Sequence, residues 1–167
     1  MMPDEIDRLL WWAIEGVLAG MPQPYVSTDR RMNLGGDLNA YDDELPVLYR
    51  TGIRAVLCLL NIPSDSAVFT SAGFKFHCSP VEQGLAPTIE QARAMIEFID
   101  MCRQEKLPVA VHCEGGLGRT GAVIAAYLIH KGVSAREAIH LVRSKEPSAI
   151  ETVPQIKFLE EFERIHR

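Results

Sequence analysis

The stretch LPVAVHCEGGLGRTGAVIAAYLIHKG, residues 107–132, decides how the chain folds. It opens on an apolar run, LPVAVHC, whose length suits a buried central strand. EGGLG then places Gly115, Gly116 and Gly118 in a tight turn. TGAVIAAYLIHKG, 120–132, is mostly apolar and stops at Gly132, so it reads as a buried helix. Strand, loop and helix in that order are the repeating unit of an α/β protein. A glycine-rich loop can turn its amide N–H groups inward. The helix that follows adds its own unpaired N–H groups and the positive end of its dipole. Arg119 can close the ring with a bidentate fork. The sum is a cradle for a dianion, with Cys113 at its floor.

That field favours the thiolate of Cys113, and a thiolate under a bound phosphate is a nucleophile aimed at phosphorus. The phosphate-binding residues are expected to be Glu114, Gly115, Gly116, Leu117, Gly118 and Arg119. Thr120 is placed to donate its hydroxyl to the sulfur and so help expel it later. His112 precedes the nucleophile in a strand, where neighbouring side chains face opposite ways. It is expected to orient the loop through ring hydrogen bonds and not to act as a base. The plainer reading, a buried cysteine beside an ordinary turn, leaves the glycines and Arg119 without a purpose.

Outward from this core, RAVLCLL, 54–60, and FKFHCS, 74–79, read as further buried strands, with a turn at 61–66 between them. Thr88 and Gln91 form a capping box for a helix running to about Arg103. Ser134 with Glu137, and Thr152 with Gln155, repeat the signal. The last helix should turn Ile156, Leu159, Phe162 and Ile165 inward. Residues 5–20 mix an amphipathic segment with a short strand, and 21–46 read as loop with one short helix near Asp42–Tyr49. The expectation is one α/β domain over 1–167, a central, mainly parallel sheet flanked by helices.

Composition narrows the partners. The formal net charge is -5 and 47% of the 167 residues are apolar. Nothing suggests a basic face for nucleic acid, and an acidic surface does not favour anionic lipid. No uninterrupted apolar run approaches a membrane span, and the first residues make a poor signal peptide. Cys58, Cys78, Cys102 and Cys113 show no CxxC pair, and His77, His130, His140 and His166 fall at no ligand spacing. No metal and no cofactor are expected. Cytoplasmic residence and a monomer are the corresponding expectations.

His112, Cys113, the five residues Glu114–Gly118, Arg119, Thr120 and Gly121 together resemble the signature of the cysteine-dependent protein tyrosine and dual-specificity phosphatases. WWAIEGVLAGMPQP resembles the N-terminal segment of small atypical members, with a tryptophan before a Leu-Ala-Gly turn. SAIETVPQIKFLEEFE resembles their C-terminal segment. The resemblance implies that fold and a phosphocysteine intermediate. It implies that Gln155 helps place the hydrolytic water, and that a loop aspartate protonates the leaving oxygen. It also admits a protective disulfide between Cys113 and one of Cys58 or Cys78, with core packing as the plainer reading of those two cysteines.

The departure lies in the acid. PVEQGLAP, 80–87, matches the acid loop by its prolines but puts Gln83 at the acid position. Gln83 has no proton to give. Three readings stay open: Glu82 rotates in as general acid, the chemistry proceeds without one on good leaving groups, or the chain binds phosphoprotein with little turnover. Asp37, Asp42 and Asp43 are weaker candidates in an unmatched loop. Family members that take inositol phosphates tend to carry lysines where Glu114 and Leu117 stand here. A single phosphate monoester in a phosphoprotein or phosphopeptide, phosphotyrosine first and phosphoserine or phosphothreonine beside it, is the expected substrate. A rhodanese-like sulfurtransferase also uses a cysteine cradle, but the Arg119-Thr120-Gly121 continuation speaks against it.

Overall fold

The computed structural model describes residues 10–24, 40–62 and 65–166. Among the described residues five strands form one sheet: β1 (Trp11–Ile14), β2 (Leu18–Met21), β3 (Ala55–Cys58), β4 (Lys75–Cys78) and β5 (Val109–His112). Their spatial order is β1-β2-β5-β3-β4. Only the β1–β2 pair is antiparallel; β2–β5, β5–β3 and β3–β4 are parallel. Every residue of β3 and β5 is buried. That is why both read as continuous apolar runs: helices cover a parallel sheet on its two faces, leaving no wet side to alternate with.

The helices are α1 (Ala40–Arg50), α2 (Asp65–Ser71), α3 (Ile89–Gln104), α4 (Gly118–His130), α5 (Ala135–Lys145) and α6 (Val153–His166). Leu18, Leu57 and Val111 point to the face packed by α3, α4, α5 and α6. Ala19, Val56 and Ala110 point to the other face, with Leu45 and Leu48 of α1 and Phe69 of α2. Two-residue alternation along each strand thus sorts its side chains into two cores. All but two of the thirteen residues of α4 are buried, so it is the central helix of its layer. Burying each of its larger side chains contributes roughly 1.5–3 kcal/mol. Among the described residues no helix is long and apolar enough to cross a membrane.

The expected capping box of α3 is present, with Thr88 and Gln91 exchanging both hydrogen bonds. At α5 only half of it forms: Ser134 Oγ accepts from the Glu137 amide. Gly132, at φ 104°, follows the end of α4 as expected. Other expectations need correction. Residues 11–21 form a hairpin and no helix, and Leu18-Ala19-Gly20 is strand where a turn was expected. The turn lies just before it, at Gly16, whose φ is 69°. Gly20 belongs in the strand because the Trp11 indole lies across it; a Cβ there would sit 2.3 Å from the ring. The expected turn at 61–66 runs into α2, a helix of 7 residues that seals the second core with Phe69. Ile165 is exposed, unlike Leu159 and Phe162. Asp37 lies outside the described residues.

Candidate active site

Cys113 follows β5 at the carboxyl end of the sheet, where α/β folds collect their ligands. The loop after it is built by fixing its carbonyls on the outside. Glu114 O accepts from the Gln23 amide at 3.0 Å, and Leu117 O from the Gly121 and Ile150 amides at 2.9 and 3.2 Å. Gly116 O accepts from the Trp11 indole at 3.2 Å. Among the described residues no hydrogen bond occupies the amides of Gly115, Gly116 and Leu117. Gly115 and Leu117 line the pocket. Leu117, the N-cap of α4, offers no side-chain cap, so no capping side chain covers the first amides of that helix.

Two glycines here are sterically required. Gly116 has φ 73°, and a Cβ would lie 2.4 Å from the Met21 backbone. At Gly118 a Cβ would meet Glu151 Oε2 at 2.6 Å and Gln155 Nε2 at 2.9 Å. Gly115 has nothing within 4 Å, so sterics alone do not demand a glycine there.

The Thr120 hydroxyl donates to Cys113 Sγ at 3.1 Å, in a site where both side chains are buried. His112 is fully buried and stacks on Phe69 with ring centroids 5.9 Å apart. Its Nδ1 lies 3.1 Å from the Cys113 carbonyl, an acceptor, so Nδ1 carries the proton. Nε2 has no partner among the described residues. Burial holds the ring's pKa down at about 4, the hydrogen bond to Cys113 O opposes this, and the Arg119 charge adds to it. The ring is therefore neutral near pH 7, as an orienting group requires. Cys58 and Cys78 are register partners across β3–β4, and both thiols bond to Leu60 O. All four cysteines are free, so neither is paired with Cys113 in the disulfide that the resemblance admits.

The pocket above Cys113 has a volume of about 350 Å³ and is lined by Gln83, Gly84, Glu114–Gly115, Leu117–Arg119, Glu151 and Gln155. Arg119, 8% exposed, donates through Nη1 to Val81 O at 2.8 Å, joining the cradle to the loop at 80–87. The start of α6 fastens the same loop twice more: Thr152 Oγ1 donates to Gly84 O at 2.7 Å and Gln155 Nε2 to Leu85 O at 3.2 Å. Gln155 Oε1 accepts from the Glu151 and Thr152 amides, closing the cap expected at Thr152–Gln155. In this fastened loop Gln83 faces the pocket. Glu82 is exposed and is not among the described lining residues. Glu151 was passed over in the sequence, although it stands immediately before the cap that places Gln155.

A family model described as a polymorphic toxin system DSP-PTPase phosphatase matches residues 31–133. The chain belongs to the DSP-PTPase phosphatase family. It is 32% identical to mouse dual specificity protein phosphatase CDC14B over 131 residues, 77% of this chain and 26% of that protein. It is 30% identical to the protein tyrosine phosphatase PRL-1 of Leishmania major over 129 residues, 72% of this chain and 73% of that one. The chain thus spans about a quarter of the length of its CDC14 relatives. The crystal structure of Tk-PTP in its active form superposes with a TM-score of 0.78 at 28% identity, covering 98% of this chain and 99% of that one. Family and fold expected from residues 112–121 are therefore those found.

Proposed function

We propose that the chain is a phosphoprotein phosphatase that hydrolyses phosphate monoesters through a phosphocysteine intermediate. The observation that carries the reading is the Thr120 hydroxyl donating to Cys113 Sγ, beside a loop whose Glu114, Gly116 and Leu117 carbonyls are bonded to groups outside it. A donor at sulfur stabilises it both as attacking thiolate and as leaving group. The free amides of Gly115, Gly116 and Leu117, the N-terminus of α4 and the Arg119 guanidinium take the equatorial oxygens, where charge must be held through the transition state. Cys113 attacks phosphorus in line, and water then displaces the sulfur. Gln155 Nε2 spends one hydrogen on Leu85 O and has a second for that water.

The rim favours one phosphate over several. Glu114 and Glu151 both line the pocket, with Arg119 the one cation among its described residues. With one guanidinium for one phosphate and the Glu114 carboxylate beside it, nothing among the described lining residues is left to pair a second phosphate group, so a phosphotyrosyl, phosphoseryl or phosphothreonyl side chain fits better than a polyphosphorylated head group. The alternative, a phosphoprotein-binding module with little turnover, draws its support from Gln83 at the expected acid position. Phosphate release from a phosphotyrosyl peptide separates the two. The reading predicts steady turnover, with Cys113→Ser lowering it more than ~10⁴-fold while still binding the peptide. Binding without release by the unaltered chain would establish the module instead.

A further inference from the structure

Resting on the phosphatase reading, we propose that Glu151 is the proton donor to the leaving oxygen, the role that sequence alignment would give to position 83. The leaving group departs opposite Cys113 Sγ, toward the pocket mouth. The pocket is lined by Gln83 and Gly84 from the loop at 80–87 and by Glu151 and Gln155 from the start of α6. The loop offers an amide and a glycine, neither of which is an acid. Glu114, the other lining carboxylate, belongs to the cradle itself. Glu151 lines the pocket beside the cradle, with Oε2 2.6 Å from where a Cβ on Gly118 would be. Its carboxylate makes no hydrogen bond or ion pair among the described residues; only its backbone amide is engaged, by Gln155.

The backbone is arranged for this aim. Ile150 sits at φ 61°, a left-handed conformation that a β-branched residue rarely adopts. Such strain persists only where the surroundings over-determine it, and it collects at functional sites. Here Arg143 supplies the restraint: Nε donates to Ala149 O at 3.1 Å and Nη2 to Ile150 O at 2.7 Å. From the other side the Ile150 amide donates to Leu117 O, inside the cradle loop. The twist at Ile150 therefore locks the residue after it to both the loop and α5. Bringing Glu82 in instead would require turning a segment held by Arg119 at Val81, Thr152 at Gly84 and Gln155 at Leu85.

The steps balance as follows. A lone pair of the Cys113 thiolate forms the S–P bond while the P–O bond breaks onto the leaving oxygen. That oxygen takes the proton of the Glu151 carboxylic acid, giving an alcohol, a phosphocysteine dianion and a carboxylate. Water then adds to phosphorus, the S–P pair returns to sulfur as thiolate, and the water's proton goes back to Glu151, releasing hydrogen phosphate.

Glu151→Gln in the full chain tests this, assayed on phenyl phosphates of graded leaving-group acidity and on an alkyl phosphate. The expected result is a loss of ~10²–10⁴-fold in kcat on the poorest leaving groups, shrinking toward unity on nitrophenyl phosphate. The alkaline fall in the kcat/KM profile should also disappear. An equal loss across all leaving groups, no loss, or the graded loss appearing in Glu82→Gln instead would overturn the assignment while leaving the phosphatase reading intact. No phosphate release by the unaltered chain from any ester would overturn both.

Discussion

Cys58 ends β3 and Cys113 follows the neighbouring parallel strand β5; Cys58 pairs in register with His112, the residue just before Cys113. Both cysteines are buried. Their surroundings differ in the partners of the sulfur: Cys58 Sγ takes the Leu60 amide at 3.4 Å and also faces the Leu60 carbonyl. Cys58 Sγ donates to Leu60 O and shares that carbonyl with Cys78, a partner that needs the thiol proton to stay on. Burial pushes the Cys58 thiol far above its ordinary value, only partly offset by the Leu60 amide. Cys113 instead receives the Thr120 hydroxyl and lies under free amides beside a guanidinium. Position at the carboxyl end of a sheet is thus no recipe for a nucleophile. On the proposed reading the difference lies in the Thr120 hydroxyl, which α4 directs at Cys113 Sγ, and in the glycine loop that lines the same pocket.

The largest way to break that contrast is to disturb the loop and leave the cysteine. Gly116→Ala puts a Cβ 2.4 Å from the Met21 backbone at φ 73°, so the loop must move or the hairpin must. A displacement near 1 Å at the cradle should lower kcat by ~10²-fold, with Cys113 still present. Steady-state kinetics against an aryl phosphate checks this; wild-type kcat would show that the loop amides do not hold the transition state.

A smaller effect lies in His112, which joins the two cysteines through register and peptide bond. Its folded pKa of about 4 lies below the ordinary value, so the unfolded chain binds a proton that the fold refuses. Stability from this group is full above about pH 6.5 and is lost as pH falls toward 4, on the order of 3 kcal/mol in all. Urea unfolding at stepped pH should show the decline in the wild type and lose this component in His112→Asn. An identical decline in both would mean that the ring titrates freely in the folded chain.

The core of this site was legible because it is local. Residues 107–132 carry their strand, turn and helix in order, and the Thr88–Gln91 box needs only neighbours three apart. The hairpin was not legible in the same way. Trp11 and Gly20 explain one another only when β1 lies against β2, and Trp11 also reaches Gly116 across more than a hundred residues. The α2 helix, with 7 residues, left too little periodicity to read. Glu151 escaped for a related reason. Its aim depends on a backbone twist at Ile150 and on Arg143 bonds from another helix, neither of which residue spacing encodes.

The account depends on phosphorus passing through one sulfur. Rapid mixing of the full chain with a labelled aryl phosphate, a denaturing quench within the first turnover and peptide mapping by mass tests this most directly. The expected result is a single phosphoryl group on the peptide carrying Cys113, absent in Cys113→Ser. Phosphate release with no label on that peptide, or with the label on any other residue, would contradict it.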